Sequence, residues 1–287
     1  MVYPGSRHRL PDAAAGKTMF AEAIVRGVPQ TLHAGITSAD LGKPDHAKAV
    51  SQHLQYVQAL EECGLEVTAL DADEMYPDSV FIEDTAVVTA RCAVLARPGA
   101  DSRRGEVQGV DEVLSGRYEN IERIIDPGTL DGGDVLQVGE RFYIGLTSRT
   151  NPEGARQLSG ILEGYGYGVS LVESREYLHL KSGVSYLGDD VLVVAGELAT
   201  NGEFGGFDKI VADSHEEYCA NCIRVNDGVL VPAGFERTRA QIAARGYKLI
   251  ELEMSEFRKV EGGLSCLSLR LPGRGGDLRR TPAGGER

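Results

Sequence analysis

Apolar positions along the chain fall into short alternating runs separated by helical stretches. HAKAVSQHLQYVQALEECG repeats apolar residues three and four apart and stops at Gly64, which predicts a helix, and LEVTAL behind it predicts a strand. SVFIEDTAVVT and RCAVLAR read as two strands, EVQGVDEVL as a helix and IERII as a strand. Residues 134–147, DVLQVGERFYIGLT, predict a hairpin turning at Gly139-Glu140, followed by the helix NPEGARQLSGILEGYG and the strand VSLVE. The order returns in NCIRVNDGVLVPAG, FERTRAQIAARG and YKLIELE, where Asn226-Asp227-Gly228 marks a hairpin because these residues tolerate positive φ.

The unit is therefore strand, strand, helix, strand, clear in three places. A fourth copy, VSYLGDDVLVVAG, has the hairpin, but GEFGGFDKIV replaces a full helix. The early run FAEAIV and the late run LSLRL complete another unit. One such unit cannot bury its sheet face alone, so several must pack together. A doubly wound parallel sheet is the competing α/β fold, but it calls for fewer tight hairpins. Residues 1–18 are polar and small, and 272–287 are rich in glycine and arginine without periodicity. The expected organisation is a flexible extension over 1–18, one domain over 19–271 and a disordered tail over 272–287, with Met19 as an alternative start.

Composition narrows the class. The chain has 287 residues, 42% of them hydrophobic, enough for a sizeable core. No run approaches a membrane span, and the first residues lack the apolar core of a secretory signal. Five cysteines fit a reducing compartment better than a disulfide scaffold, so a cytoplasmic protein is expected. A formal charge of −13 without a basic block argues against nucleic acid as a partner. Gly16-Lys17-Thr18 lacks the earlier glycine of a phosphate loop, Pro11 standing there. Cys219-Ala220-Asn221-Cys222 leads into a strand instead of a helix and has no second ligand pair, which favours a structural role over redox or zinc. DADEMYPDSVFIE lacks the glycine turn of a calcium loop.

Three segments carry candidate chemistry. Cys266 in EGGLSCLS follows two glycines that permit close backbone approach, suiting a nucleophile, although a small buried cysteine would look the same. His179 in YLHLKSG is one of six histidines and is either a structural imidazole or the proton-handling partner a thiol needs. Asp131 and Asp134 in GTLDGGDVL could set its tautomer. Asp78 and Asp84 would share one face of a strand, with Glu83 on the other. Such acids either end a solvated strand or hold a guanidinium or ammonium ligand.

GITSADLGKPDHAKA, YPDSVFIEDTAVV, RPGADSRRGE, GTLDGGDVL, GLTSRTNPEGA, YLHLKSG, CANCIRVND and EGGLSCLSLR, running from about residue 21 to 271, together resemble the dimethylarginine dimethylaminohydrolases of the guanidino-group-modifying superfamily. The resemblance implies an α/β propeller of five ββαβ modules, pentein-like and closed around a central active site. It implies cysteine-dependent hydrolysis of Nω-methylated arginines to citrulline and methylamine or dimethylamine. It puts the nucleophile on Cys266, its histidine on His179 and the orienting acid on Asp131. Asp78 and Asp84 match the carboxylates that hold the guanidinium, and Phe81 and Glu83 match other pocket residues. Arg103 and Arg149 match the arginines that receive the amino-acid end, and Ile36 stands where the family usually has the leucine of a mobile loop. No metal or organic cofactor is implied. The expected partner is a small methylated arginine, with no nucleic acid and no membrane, and a homodimer is one expectation for assembly. The rivals are an arginine deiminase, an amidinotransferase, a citrulline or other ureido hydrolase, and a non-catalytic binding protein on the same fold.

Overall fold

The computed structural model describes residues 20–273. Met19, Gly16-Lys17-Thr18, the expected extension over 1–18 and the expected tail from 274 onward lie outside the described residues. Pro272, which the sequence reading assigned to the tail, is the last residue of a strand.

Five units follow one another. β1 (Phe20–Arg26), α1 (His46–Glu62) and β2 (Glu66–Leu70) begin the first. The second holds β3 (Ala86–Val88), β4 (Ala93–Leu95), α2 (Val107–Ser115) and β5 (Ile121–Arg123). The third holds β6 (Val135–Val138), β7 (Arg141–Leu146), α3 (Pro152–Gly164) and β8 (Gly168–Glu173). A single turn, α4 (Leu180–Gly183), precedes β9 (Val184–Gly188), β10 (Val191–Val194) and β11 (Asp208–Val211) of the fourth. The fifth has β12 (Ile223–Val225), β13 (Gly228–Pro232), α5 (Glu236–Ala244) and β14 (Lys248–Leu252). After α6 (Ser255–Arg258), β15 (Leu269–Pro272) returns to pair antiparallel with β1 and completes the first sheet.

Each sheet has three strands: an antiparallel pair, then a parallel strand beside the middle one after the crossover. Local chemistry explains the elements. Asp45 caps α1 by accepting the Lys48 N–H at 2.8 Å, and Asn151 caps α3 by accepting the Gly154 N–H at 2.7 Å, with Pro152 in the first turn. The fourth unit has two short 3-10 turns, Gly196–Thr200 and Gly202–Phe204, where the others have a helix, as its glycine-rich segment foretold.

Two expectations need correction. The sheets do not close or curl into a propeller around the site. They are five separate three-stranded sheets, and among the described strands no ladder joins one to another. The units meet through apolar side chains instead: Phe142 and Leu158 share one buried cluster with Val94, Leu192 another with Leu136, and Leu230 a third with Tyr56. Second, SVFIEDTAVVT is not one strand, because Ile82–Thr85 forms a 3-10 turn before β3. Its neighbouring carboxylates are held by different cations, Glu83 by Lys181 and Arg270, Asp84 by Arg103, and the turn serves both.

Asn226 ties the fifth unit to the first. It turns the β12–β13 hairpin at φ 53°, accepts the Phe20 N–H at 2.9 Å, and donates to the carbonyls of Phe20 at 3.0 Å and Cys63 at 2.9 Å. Asn226→Ala should destabilise the protein by about 2–4 kcal/mol through these lost bonds and the positive φ. Asn226→Gly should lose about 1 kcal/mol less, because glycine accepts the backbone angle. Urea denaturation of the three proteins checks the order, and equal losses would assign the whole effect to the side-chain bonds.

Candidate active site

Loops that precede the first strands of several units converge on one cleft. Cys266 sits on a 3-10 turn, Ser265–Leu267, just before β15. The Gly263 N–H points at its Sγ at 3.4 Å. Asn221 braces this turn: its Oδ1 accepts the Ser265 N–H at 3.0 Å, while its Nδ2 donates to Ser265 Oγ at 3.1 Å and to the Lys181 carbonyl at 3.0 Å. A Cβ on Gly263 would lie 2.5 Å from Asn221, so only glycine allows that approach.

His179 caps α4 and faces the GTLDGGDVL segment. Its Nε2 lies 2.9 Å from Asp131 Oδ2 and 3.8 Å from Asp84 Oδ1. Asp131 is fully buried, and its other oxygen accepts the Gly99 N–H at 2.8 Å. Gly133 fits between Asp84 and His179, where a Cβ would come within 2.7 Å of the carboxylate and 2.9 Å of the ring. Asp134 accepts the hydroxyls of Thr147 at 2.8 Å and Thr150 at 2.6 Å and the Leu180 N–H at 2.8 Å, holding the start of α4 against its own turn.

The charges in this cleft shift one another. Burial works to neutralise His179, but the charge of Asp84, the hydrogen bond to Asp131 and the charge of Asp134 outweigh it and push the ring up to about 9. Burial likewise works to raise Asp84, and the charges of His179 and Arg103 overcome it, holding the carboxyl down at about 2. This imidazolium therefore stabilises the fold fully below the ordinary histidine range, and the contribution is lost as pH rises through about 9. The Cys266 thiol is pushed up to about 12 by burial and by the charges of Glu83 and Asp84, against the opposing Gly263 N–H. Asp84, Asp131 and His179 each offer one atom within 4.8 Å of the others, a spacing a metal could use, but the imidazolium already places positive charge between the two acids.

Asp78, Phe81, Asp84, Arg103, Arg149, His179, Ile36 and Cys266 all line this cleft, of about 20 Å³, which has room for about one water. Asp78 accepts the Ile36 N–H at 3.1 Å, and burial raises its carboxyl. Ile36 is 40% exposed and covers the cleft; Ser38 beyond it is held by Glu261 through its N–H at 2.8 Å and its hydroxyl at 3.0 Å. Phe81 stands edge-on to Phe257, with ring centres 6.2 Å apart. Arg103 is buried with its donors committed: Nη1 to Asp84 at 2.6 Å, Nε and Nη2 to Glu106 at 3.0 and 2.8 Å, and Nη2 also to the Phe81 carbonyl at 3.1 Å. Arg149 is the reverse, since its buried Nη1 has no hydrogen-bond partner among the described residues.

Glu83 is not in the cleft. It faces a second cavity, where Lys181 at 2.6 Å and Arg270 at 2.9 Å share its Oε1. Sequence reasoning missed Asn221 and Glu106. Asn221 lies within CANC, where the flanking cysteines are the conspicuous residues; both are buried thiols that burial pushes well up. Nothing in the local sequence marked Glu106 as the partner that aims Arg103.

A family profile described as N,N dimethylarginine dimethylhydrolase, eukaryotic, matches residues 38–204. A Pseudomonas aeruginosa protein named N(G),N(G)-dimethylarginine dimethylaminohydrolase is 49% identical over 254 residues, covering 88% of this chain and 100% of its own length. This chain belongs to the dimethylarginine dimethylaminohydrolase family. A Streptomyces coelicolor member of that name is 35% identical over 251 residues, 87% of this chain and 96% of its own. A solved structure of the Pseudomonas aeruginosa enzyme, a cysteine-to-serine mutant complexed with citrulline, superposes with a TM-score of 0.87 at 48% identity over 88% of this chain and 100% of that one. A dimethylarginine dimethylaminohydrolase with a histidine-to-glycine change, an adduct with S-methyl-L-thiocitrulline, gives the same TM-score of 0.87, identity of 48% and coverage of 88% and 100%. Among the described residues no helix is long and apolar enough to cross a membrane.

In this family member the Asp131–His179 bond can be tested by Asp131→Asn. The change keeps the shape and removes a charge-assisted bond, so the imidazolium should deprotonate roughly one to two pH units lower. An NMR titration of the His179 ring checks this, and an unmoved titration would assign the raised value to Asp84 and Asp134.

Proposed function

We propose that this chain hydrolyses Nω-methylated arginines to citrulline and methylamine or dimethylamine, with Cys266 as nucleophile. The observation that carries this reading is the meeting, in one cleft, of a thiol, an imidazolium, two carboxylates and an unpartnered guanidinium nitrogen. The citrulline complex and the S-methyl-L-thiocitrulline adduct of the related structures support an amino-acid occupant of this shape.

The chemistry follows from the charges. With the cleft empty, burial, Glu83 and Asp84 keep Cys266 as a neutral thiol. A cationic guanidinium beside Asp78 and Asp84 offsets those negative charges and favours the thiolate, whose proton leaves to solvent. Arg149 takes the substrate carboxylate through its free Nη1, a bond an arginine fork suits. The thiolate attacks the guanidinium carbon and forms a C–S bond. His179, protonated at neutral pH, gives its proton to the methylated nitrogen as that C–N bond breaks. A covalent thiouronium remains, and the amine departs. His179, now neutral, takes a proton from water, and the resulting hydroxide adds to the same carbon; the C–S bond then breaks with its electron pair on sulfur, the hydroxyl proton passes to that sulfur, and citrulline and the Cys266 thiol are released. Asp131 is a positioning residue, because it touches the imidazole and not the reacting carbon. The cleft is small, so the substrate enters only when the segment carrying Ile36 moves aside.

The decisive experiment offers arginine, both Nω-methylarginines and citrulline side by side and measures ammonia, methylamine and dimethylamine. Dimethylamine and citrulline from asymmetric dimethylarginine are expected, and ammonia from arginine as the dominant activity would overturn the reading. Cys266→Ser should lower turnover by roughly 10³-fold or more, since a hydroxyl ionises far less readily than a thiol. Near-full activity in that variant would remove Cys266 from the nucleophile role.

A further inference from the structure

A second cavity lies away from the cleft. Its volume is about 210 Å³, and it opens between the first strands of several sheets. Val87, Val135, Phe142, Val184 and Leu269 make its walls largely apolar. Its floor lies behind the turn that carries Cys266, where Ser265, Ser268, Glu83, Lys181 and Arg270 line it.

Charge on that floor is unbalanced. Lys181 and Arg270 both approach one oxygen of Glu83, so two cations share one carboxylate. Arg270 spends Nη1 on the Ser265 carbonyl at 3.2 Å and on Ser268 Oγ at 2.9 Å, contacts that bring no negative charge. An ammonium has three N–H donors, and Lys181 has Glu83 as its one acceptor among the described residues. Lys181 is 13% exposed and Arg270 14%, and the cavity is the space they face. Nearer the mouth, Arg224 and Asp189 pair at 3.4 Å and neutralise each other. The cavity lining is thus net positive in a chain of formal charge −13. A cation held between apolar walls without a matching anion is costly, and an anion with hydrogen-bond acceptors relieves both the charge and the unused donors.

We propose that the floor of this cavity, at Lys181 and Arg270, is a binding site for a small monovalent anion of halide to carboxylate size. The volume admits a small anion together with several waters. A small anion fits beside Lys181 with its remaining shell completed by water. The second oxygen of Glu83 is buried and has no hydrogen-bond partner among the described residues, so the anion sits against the Lys181 ammonium and not against that carboxylate. The site is independent of the methylarginine reading, since no group in the cleft binds the anion.

Crystals of the unaltered full chain, soaked in sodium bromide and measured at the bromine absorption edge, test the proposal directly. An anomalous peak is expected in contact with Lys181 Nζ at the cavity floor. Bromine peaks confined to the outer surface, with water alone at the floor, would overturn it. In solution, ³⁵Cl line broadening reads the same site. The substitution Lys181→Met removes the surplus positive charge while Glu83 stays paired with Arg270, and chloride affinity should fall about tenfold or more. Unchanged broadening in that folded variant would also overturn the assignment, and the crystal measurement decides the matter if the variant does not fold.

Discussion

The Asp84 carboxylate accepts from the Arg103 guanidinium and from the Gly133 N–H, and it looks across 3.8 Å at the His179 ring. These partners come from the segment after β4, the turn before β6 and the start of α4, so one buried acid joins three units. Taking that acid out of water is expensive unless cations and N–H groups surround it, and here they do. The pairing works in both directions. It keeps Asp84 ionised, it keeps His179 protonated, and its negative charge keeps the neighbouring thiol neutral. Removing one member leaves the others as unpaired buried charges, so geometry and protonation are set together.

The five separate sheets explain why such a cluster can exist. Each sheet satisfies its own backbone through its ladders, and apolar side chains carry the contact between units. The loops before the first strands are then free to supply polar groups. Residues 78–84, 131–134, 179 and 261–266 all lie in such loops, and 99–103 and 149 lie in the crossovers. A rigid set of strands with functional loops at one end is a common division of labour. The closed propeller expected from the family resemblance overstated the joining of the sheets, because strand periodicity reports pairing inside a unit and says nothing of the seam between units.

Local features were the most legible in the sequence. The helix at 46–62, the hairpins at Gly139 and Asn226 and the missing helix of the fourth unit all rest on residues within a few positions of each other. Chemistry alone named His179 as a partner for Cys266 and Asp131 or Asp134 as its acid, but spacing could not place them together, since 48 residues separate the histidine from its acid, and the choice of Asp131 entered through the resemblance. The bend at Ile82–Thr85 was hidden for a related reason. Its apolar alternation looks like a strand, and only the distant cations Arg103, Lys181 and Arg270 turn Glu83 one way and Asp84 another. Asn221 was overlooked because its partners, Lys181 and Ser265, stand 40 and 44 residues away.

The pairing of β15 with β1 imposes a timetable. β1 leaves the ribosome with the first units, yet its outer neighbour is the last described strand, about 245 residues later. Until that strand arrives, the first sheet has an open edge. The turn bearing Cys266 immediately precedes β15, so it docks in the same late step. The Cys266 thiol is consequently positioned only after its surrounding acids, imidazole and arginines have been made, and a nascent chain carries no assembled cleft.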